Sequence, residues 1–263
     1  METKPMSTYF FSAAQRIRAR CNDGILCMLD FDGTLVPIVD NPADCRLSTE
    51  VKQILKDISG GKNNTVAIIS GRQLSDLRKR VGIKNIYYGG SHGLEISGPA
   101  MEFVHPETEH TKRPVELLKR SMEKEFHSIP GILIESKPFS FAFHYRMLPQ
   151  EDIKSAVRRF RHLVLESTLK HRISVLRGKK VLEVIPRINW DKGAAVNYIR
   201  DLTGGRVCPV YVGDDRTDES AFKALEHEGI TVRVGQRKNT AASYHLKNQK
   251  EIVPFLRFFS RNM

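Results

Sequence analysis

The sequence predicts an α/β protein: a doubly wound, mostly parallel sheet with a smaller α+β domain inserted into it. Three observations carry this. Short apolar runs alternate with helical patterns from Ile25 to Gly90, the alternation breaks between Glu109 and Glu183, and it resumes from Asn189. A chain of 263 residues suits one large domain or a domain with an insertion. The expected division is a core of 1–108 and 184–263 around an inserted 109–183.

The elements follow in order. "STYFFSAAQRIRAR" lacks a long uninterrupted apolar stretch and reads as a short amphipathic helix rather than a signal peptide, although its arginines leave an organellar-targeting reading open. Ile25–Leu29 is a short apolar run closed by a glycine turn, the pattern of a parallel strand buried on both faces. "STEVKQILKDIS" is a helix with Ser48 as N-cap and Val51, Ile54, Leu55 and Ile58 on one stripe. "TVAIIS" is a second strand, "GRQLSDLRKRVG" a helix and "NIYYGG" a third strand. In the insertion, "PVELLKRSMEKEF" and "EDIKSAVRRFRHLVLEST" read as helices. The pairs "GILIES" with "SFAFHYR" and "ISVLRG" with "KVLEVIP" read as antiparallel strands. Then "WDKGAAVNYIRDLTG", "VCPVYVG", "ESAFKALEHEG" and "ITVRVG" restore the βα rhythm.

Composition narrows the function. Hydrophobic residues at 40% and charged residues at 27% describe an ordinary globular chain, and no apolar run approaches the roughly 20 residues of a membrane span. The net charge of +12 suits nucleic acid or a small anionic substrate. Scattered basic residues, with no finger spacing and no aromatic-plus-glycine RNA-binding string, favour the second. Residues 109–183 hold 16 Lys+Arg against 9 Asp+Glu, a compositionally distinct segment. Cys21, Cys27, Cys45 and Cys208 form no CxxC pair, which suits reduced thiols and a cytoplasmic location. A monomer is expected, without nucleic-acid or membrane partners.

In an open parallel sheet, ligands bind beyond the carboxyl ends of the strands. Asp30 and Asp32 follow the first strand, Ser70 and Gly71 the second, and Asp214 and Asp215 "VYVG", while Lys192 opens a helix near the same edge. Singly, each aspartate is as readily a turn former or helix cap, Asp215 and Asp218 included. Together, carboxylates at one edge repel unless a cation sits among them, and Mg²⁺ prefers such oxygen ligands. Phosphoryl transfer fits: Asp30 attacks phosphorus, Asp32 carries the proton, Ser70 and Lys192 hold phosphate oxygens, and Asp214 with Asp215 helps Asp30 and Asp32 hold the ion. Receiver domains also combine clustered aspartates with a lysine, but the DxD spacing and the insertion argue against one.

The motifs "DFDGTL", "SGR", "DKG" and "GDD" occur in the order of the haloacid-dehalogenase-like phosphohydrolases. "IISGR", "YGGSHGLE", "NWDKG" and "GDDRTDESAF" narrow the resemblance to the trehalose-6-phosphate phosphatase branch, over about Asp23 to Phe255. The resemblance implies a Rossmann-like core with a cap inserted between the Ser70 and Lys192 motifs. It also implies a Mg²⁺-dependent phosphatase acting on trehalose 6-phosphate or a related sugar phosphate, such as a sucrose or glycosylglycerate phosphate. "IESKPFSFAFHYR" and "RGKKVLEV" resemble the stretches that supply sugar-gripping residues, here Glu135, Lys137, His144, Arg146, Lys179 and Glu183. Alternating charges on paired strands also read as simple cross-strand ion pairs. Gly71, Arg72, His92 and Asp218, within the matched motifs, complete the expected substrate set. A fused glycosyltransferase domain, found in some relatives, is not expected, so the substrate is expected to be made elsewhere.

Overall fold

In a computed structural model, the chain is described at residues 7–39, 44–167, 169–178, 180–205 and 207–260. It divides into two units, one holding the chain up to Phe103 and from Trp190 onward, the other Val104–Asn189. The expected boundaries therefore move outward.

The first elements among the described residues are strand Thr8–Tyr9 (β1), a 3-10 turn and helix Ala14–Arg20 (α1). The single amphipathic helix expected there is shortened because Thr8 and Tyr9 pair with Tyr244 and His245, and Phe10 enters an aromatic cluster with Phe255, Phe258 and Phe259. Next come Ile25–Leu29 (β2), Thr49–Ser59 (α2), Thr65–Ile69 (β3), Leu74–Val81 (α3) and Tyr87–Gly90 (β4). Ser48 caps α2, its hydroxyl accepting from the Val51 N–H at 3.2 Å. Glu95–Gly98 (β5) and Met101–Val104 (β6) follow, a pair that the short, glycine-broken sequence did not announce.

The second unit contains Thr108–Phe126 (α4), Leu133–Ser136 (β7), Phe141–His144 (β8), Gln150–Glu166 (α5), Ile173–Gly178 (β9) and Val181–Pro186 (β10). Its antiparallel sheet runs β7-β8-β10-β9. Because β10 stays paired with β9 as far as Pro186↔Ile173, the unit ends later than position 183. Its core joins Val115, Leu118, Met122 and Phe126 of α4 to Phe160 of α5 and to Phe141, Phe143, Leu182 and Val184 of the sheet. In register on the opposite sheet face, Glu135 lies beside Ala142 and Ala142 beside Glu183.

The first unit resumes with Lys192–Leu202 (α6), Cys208–Gly213 (β11), Glu219–Ala224 (α7), Ile230–Val234 (β12), Tyr244–Leu246 (β13) and Ile252–Ser260 (α8). Its nine-stranded sheet has the order β1-β13-β12-β11-β2-β3-β4-β5-β6, parallel from β1 to β4 and antiparallel between β4 and β5. Alternate residues of β2 face opposite cores. Ile25, Cys27 and Leu29 pack with α2 and α8, whereas Leu26 and Met28 pack with α6 and α7. Each such fully buried aliphatic side chain contributes about 1.5–3 kcal/mol. The chain leaves β2 for β3 on one side and later returns to β11 on the other, so β2 is the topological switch point.

Candidate active site

Asp30 is the first residue past the switch strand, and its N–H still donates to the Val212 carbonyl at 2.9 Å. The chain then turns sharply. Gly33 adopts φ +89°, and a Cβ there would stand 2.2 Å from Asp214 Oδ2, so the turn needs glycine to admit that carboxylate. The Thr34 hydroxyl donates to Asp214 Oδ1 at 3.3 Å. From β3, Ser70 enters by donating its N–H to the Gly89 carbonyl. Asp191 caps α6 by accepting from the Ala194 N–H, which sets Lys192 at the helix start and leaves it 3% exposed.

Lys192 Nζ donates to Asp30 Oδ1 at 2.6 Å and to Asp218 Oδ1 at 2.7 Å. Tyr211 also donates to Asp218 Oδ1, at 2.8 Å, and the Asp215 N–H donates to Asp218 Oδ2 at 2.8 Å. Among the described residues, Asp30, Asp214 and Asp218 place carboxylate oxygens within 4.8 Å of one another. Burial pushes the Asp30 carboxyl well above its ordinary range against the pull of Lys192, with Asp218 and Asp214 adding to the rise. Burial and then the Asp218 charge push Asp214 up to about 6. Lys192 is held charged, because Asp218 and Asp30 together outweigh the cost of its burial. Three carboxylates around one ammonium leave a charge of −2, which one divalent ion neutralises. The donors are hard oxygens, so this cluster can hold a metal ion.

The acidic cluster differs in membership from the expected metal set. Asp32 lies outside it. Its oxygens accept from Arg72, Nε to Oδ2 and Nη2 to Oδ1 at 2.7 Å each, and from the Cys45 thiol at 3.3 Å. Asp215 is exposed and acts as an N-cap: its carboxylate accepts from the Asp218 backbone while its own N–H serves Asp218. Asp218, expected to touch substrate, is 0% exposed and bonded to chain groups through both oxygens. Gly71 lies against the His92 ring, and His92 N–H donates to the Ser70 carbonyl at 2.9 Å. Trp190, beside Phe103, donates to the Gly93 carbonyl at 2.8 Å.

On the Ala142 face of the other unit's sheet, Glu135 meets His144 at 2.8 Å, a bond that holds the Glu135 carboxyl below its ordinary range. Glu183 accepts from Lys137 at 2.7 Å and from the Ser140 hydroxyl at 2.9 Å. Arg146 is half-buried just past β8, and Lys179 lies outside the described residues.

Sequence reasoning missed Tyr211 and Arg233. The signal was present: both are polar side chains inside buried, apolar stretches of strand, where each needs a partner. Arg233 donates to the carbonyls of Asp214 and Asp215 and to Glu219. Among the described residues, no helix is long and apolar enough to cross a membrane.

Against known proteins, the profile of the trehalose-phosphatase family matches residues 28–250. Trehalose-phosphate phosphatase B of Arabidopsis thaliana is 33% identical over 249 residues, covering 88% of this chain and 65% of that protein. Probable trehalose-phosphate phosphatase 4 of Oryza sativa subsp. japonica is 34% identical over 243 residues, with the same coverage. This chain thus spans slightly less than two thirds of these relatives. Among solved structures, the C-terminal domain of a C. albicans trehalose-6-phosphate phosphatase shares the fold with a TM-score of 0.84 at 22% identity, over 100% of both chains. An Aspergillus fumigatus trehalose-6-phosphate phosphatase has a TM-score of 0.65 at 26% identity, over 98% of this chain and 100% of that one.

Proposed function

The chain belongs to the trehalose-phosphatase family, and from that premise we propose that it is a Mg²⁺-dependent phosphatase that hydrolyses trehalose 6-phosphate to trehalose and inorganic phosphate. The observation that carries the reading is Asp30 at the end of the switch strand, bonded to Lys192 through one oxygen, with Asp214 and Asp218 beside it.

In this reading Asp30 is the nucleophile. Lys192 fixes Oδ1 and leaves Oδ2 to form the bond to phosphorus, giving an aspartyl phosphate as the sugar O6 departs. Asp32 gives that leaving oxygen a proton, then takes one from the water that attacks phosphorus and frees Asp30. Its oxygens are both engaged by Arg72, so delivering a proton requires that this pair loosen when substrate is present. Ser70, buried beside Asp30's strand, and Lys192 hold phosphate oxygens. Asp30, Asp214 and Asp218 hold Mg²⁺, which when bound offsets charge on the phosphoryl oxygens. Glu135, Lys137, His144, Arg146, Lys179 and Glu183 read the sugar hydroxyls, as carboxylates accept from hydroxyls and cationic groups donate to them.

Phosphate release from a panel of sugar phosphates tests the proposal. Trehalose 6-phosphate is expected to be preferred, with chelation of divalent ions stopping release. A clear preference for sucrose 6-phosphate or a glycosylglycerate phosphate overturns the substrate, and chelator-insensitive turnover overturns the role of the ion.

A further inference from the structure

Arg233 sits in β12, a strand buried along its whole length, and is only 6% exposed. Such burial is costly unless the guanidinium donors are taken. The register Gly213↔Arg233 sets it beside the end of β11. Nη2 donates to the carbonyl of Asp214, while Nη1 donates to the carbonyl of Asp215 at 3.2 Å and to Glu219 Oε1 at 3.0 Å. Glu219 is anchored in turn, its Oε2 accepting from the Ala241 N–H at 2.7 Å. One side chain therefore clamps two consecutive carbonyls. The same two residues send the Asp214 carboxylate toward Asp30 and the Asp215 N–H to Asp218 Oδ2 at 2.8 Å.

We propose that Arg233 is a positioning residue for the reaction: by clamping the 214–215 backbone, with Glu219 as its anchor, it holds Asp214 and Asp218 in the spacing that binds the divalent ion. This rests on the reading of that cluster as the ion's site. Arg233 touches neither the ion nor the substrate. Its contribution is to fix two of the carboxylates before the ion arrives, as partners behind a metal's own ligands do elsewhere. Lysine offers one compact ammonium in place of a planar fork, so it replaces the clamp only in part.

The test is direct binding of Mn²⁺ to the full chain, followed by electron paramagnetic resonance, with thermal melting of every variant. Arg233→Met is expected to weaken Mn²⁺ about tenfold or more, with Arg233→Lys intermediate and Glu219→Gln weakened in the same direction. Ile199→Val, a buried apolar side chain of α6 that takes no part in the clamp's hydrogen bonds, is the stability control and should bind as the unsubstituted chain does. If Arg233→Met does not fold, Glu219→Gln and Arg233→Lys decide. Folded variants at Arg233 and Glu219 with unaltered Mn²⁺ affinity overturn the proposal, as does an equal loss in Ile199→Val. An unsubstituted chain that binds no Mn²⁺ overturns both this role and the reading of the cluster. Normal Mn²⁺ binding without hydrolysis of trehalose 6-phosphate overturns the substrate alone.

Discussion

The Arg72 guanidinium grips the Asp32 carboxylate through two bonds of 2.7 Å. Arg72 is itself tied to Asp76 at 3.0 Å, and Arg80 holds Asp76 at 2.7 Å. This chain of charges fixes the expected proton carrier to α3. Replacing Arg72 with Ala should free Asp32 from its set position and lower kcat about 10–100-fold. Arg72→Lys should recover little, because an ammonium cannot reproduce the paired geometry. Steady-state kinetics of the two variants check this, and full recovery in the lysine variant contradicts it.

Asp32→Asn separates proton transfer from ion holding. Asp32 lies outside the group of Asp30, Asp214 and Asp218, so Mn²⁺ affinity should persist while turnover falls about 10²–10⁴-fold. Paired measurements of binding and phosphate release on one preparation test the split. Loss of both together places Asp32 among the ion's ligands.

Lys192 is the ammonium shared by Asp30 and Asp218, and all three side chains are nearly inaccessible. Lys192→Met leaves buried carboxylates without their counter-charge, which costs about 3–5 kcal/mol. Divalent ions should recover part of that loss, since they supply charge at the same place. Denaturant melts with and without Mg²⁺ give the two numbers.

Stability without the ion should fall as pH rises. Asp214 is pushed from 3.8 up to about 6, chiefly by burial. A carboxyl with a raised folded pKa binds protons more tightly folded than unfolded. Folding is therefore favoured below about 4 relative to higher pH, and that advantage is lost by about 6. The effect of this group is on the order of 3 kcal/mol, and Asp30 acts in the same direction. Added Mg²⁺ binds the ionised form, so its stabilising shift in Tm should be larger at pH 7 than at pH 5. Melting curves at both pH values, with Mg²⁺ and with chelator, check the sign.

What could be read from sequence followed periodicity and local chemistry. The alternating apolar runs marked β2, β3, β11 and β12, and Ser48 announced the cap of α2. Other elements depend on partners distant in sequence. β1 exists because Thr8 and Tyr9 meet Tyr244 and His245, and β13 is three residues long. At the site, spacing placed Asp30, Asp214 and Lys192 on one edge. It did not separate Asp215 from Asp218, because neighbouring carboxylates look alike until the backbone turn gives one a cap's position and buries the other. Nor could it pair Arg72 with Asp32, since that choice depends on how β2 and β3 lie side by side.

The account turns on Asp30 as nucleophile, and rapid quenching during turnover of trehalose 6-phosphate tests it most directly. Borohydride reduces an aspartyl phosphate to homoserine, and peptide mapping locates it. The prediction is homoserine at position 30, dependent on substrate and absent from Asp30→Asn. Modification at another carboxylate, or steady hydrolysis by Asp30→Asn, contradicts the account.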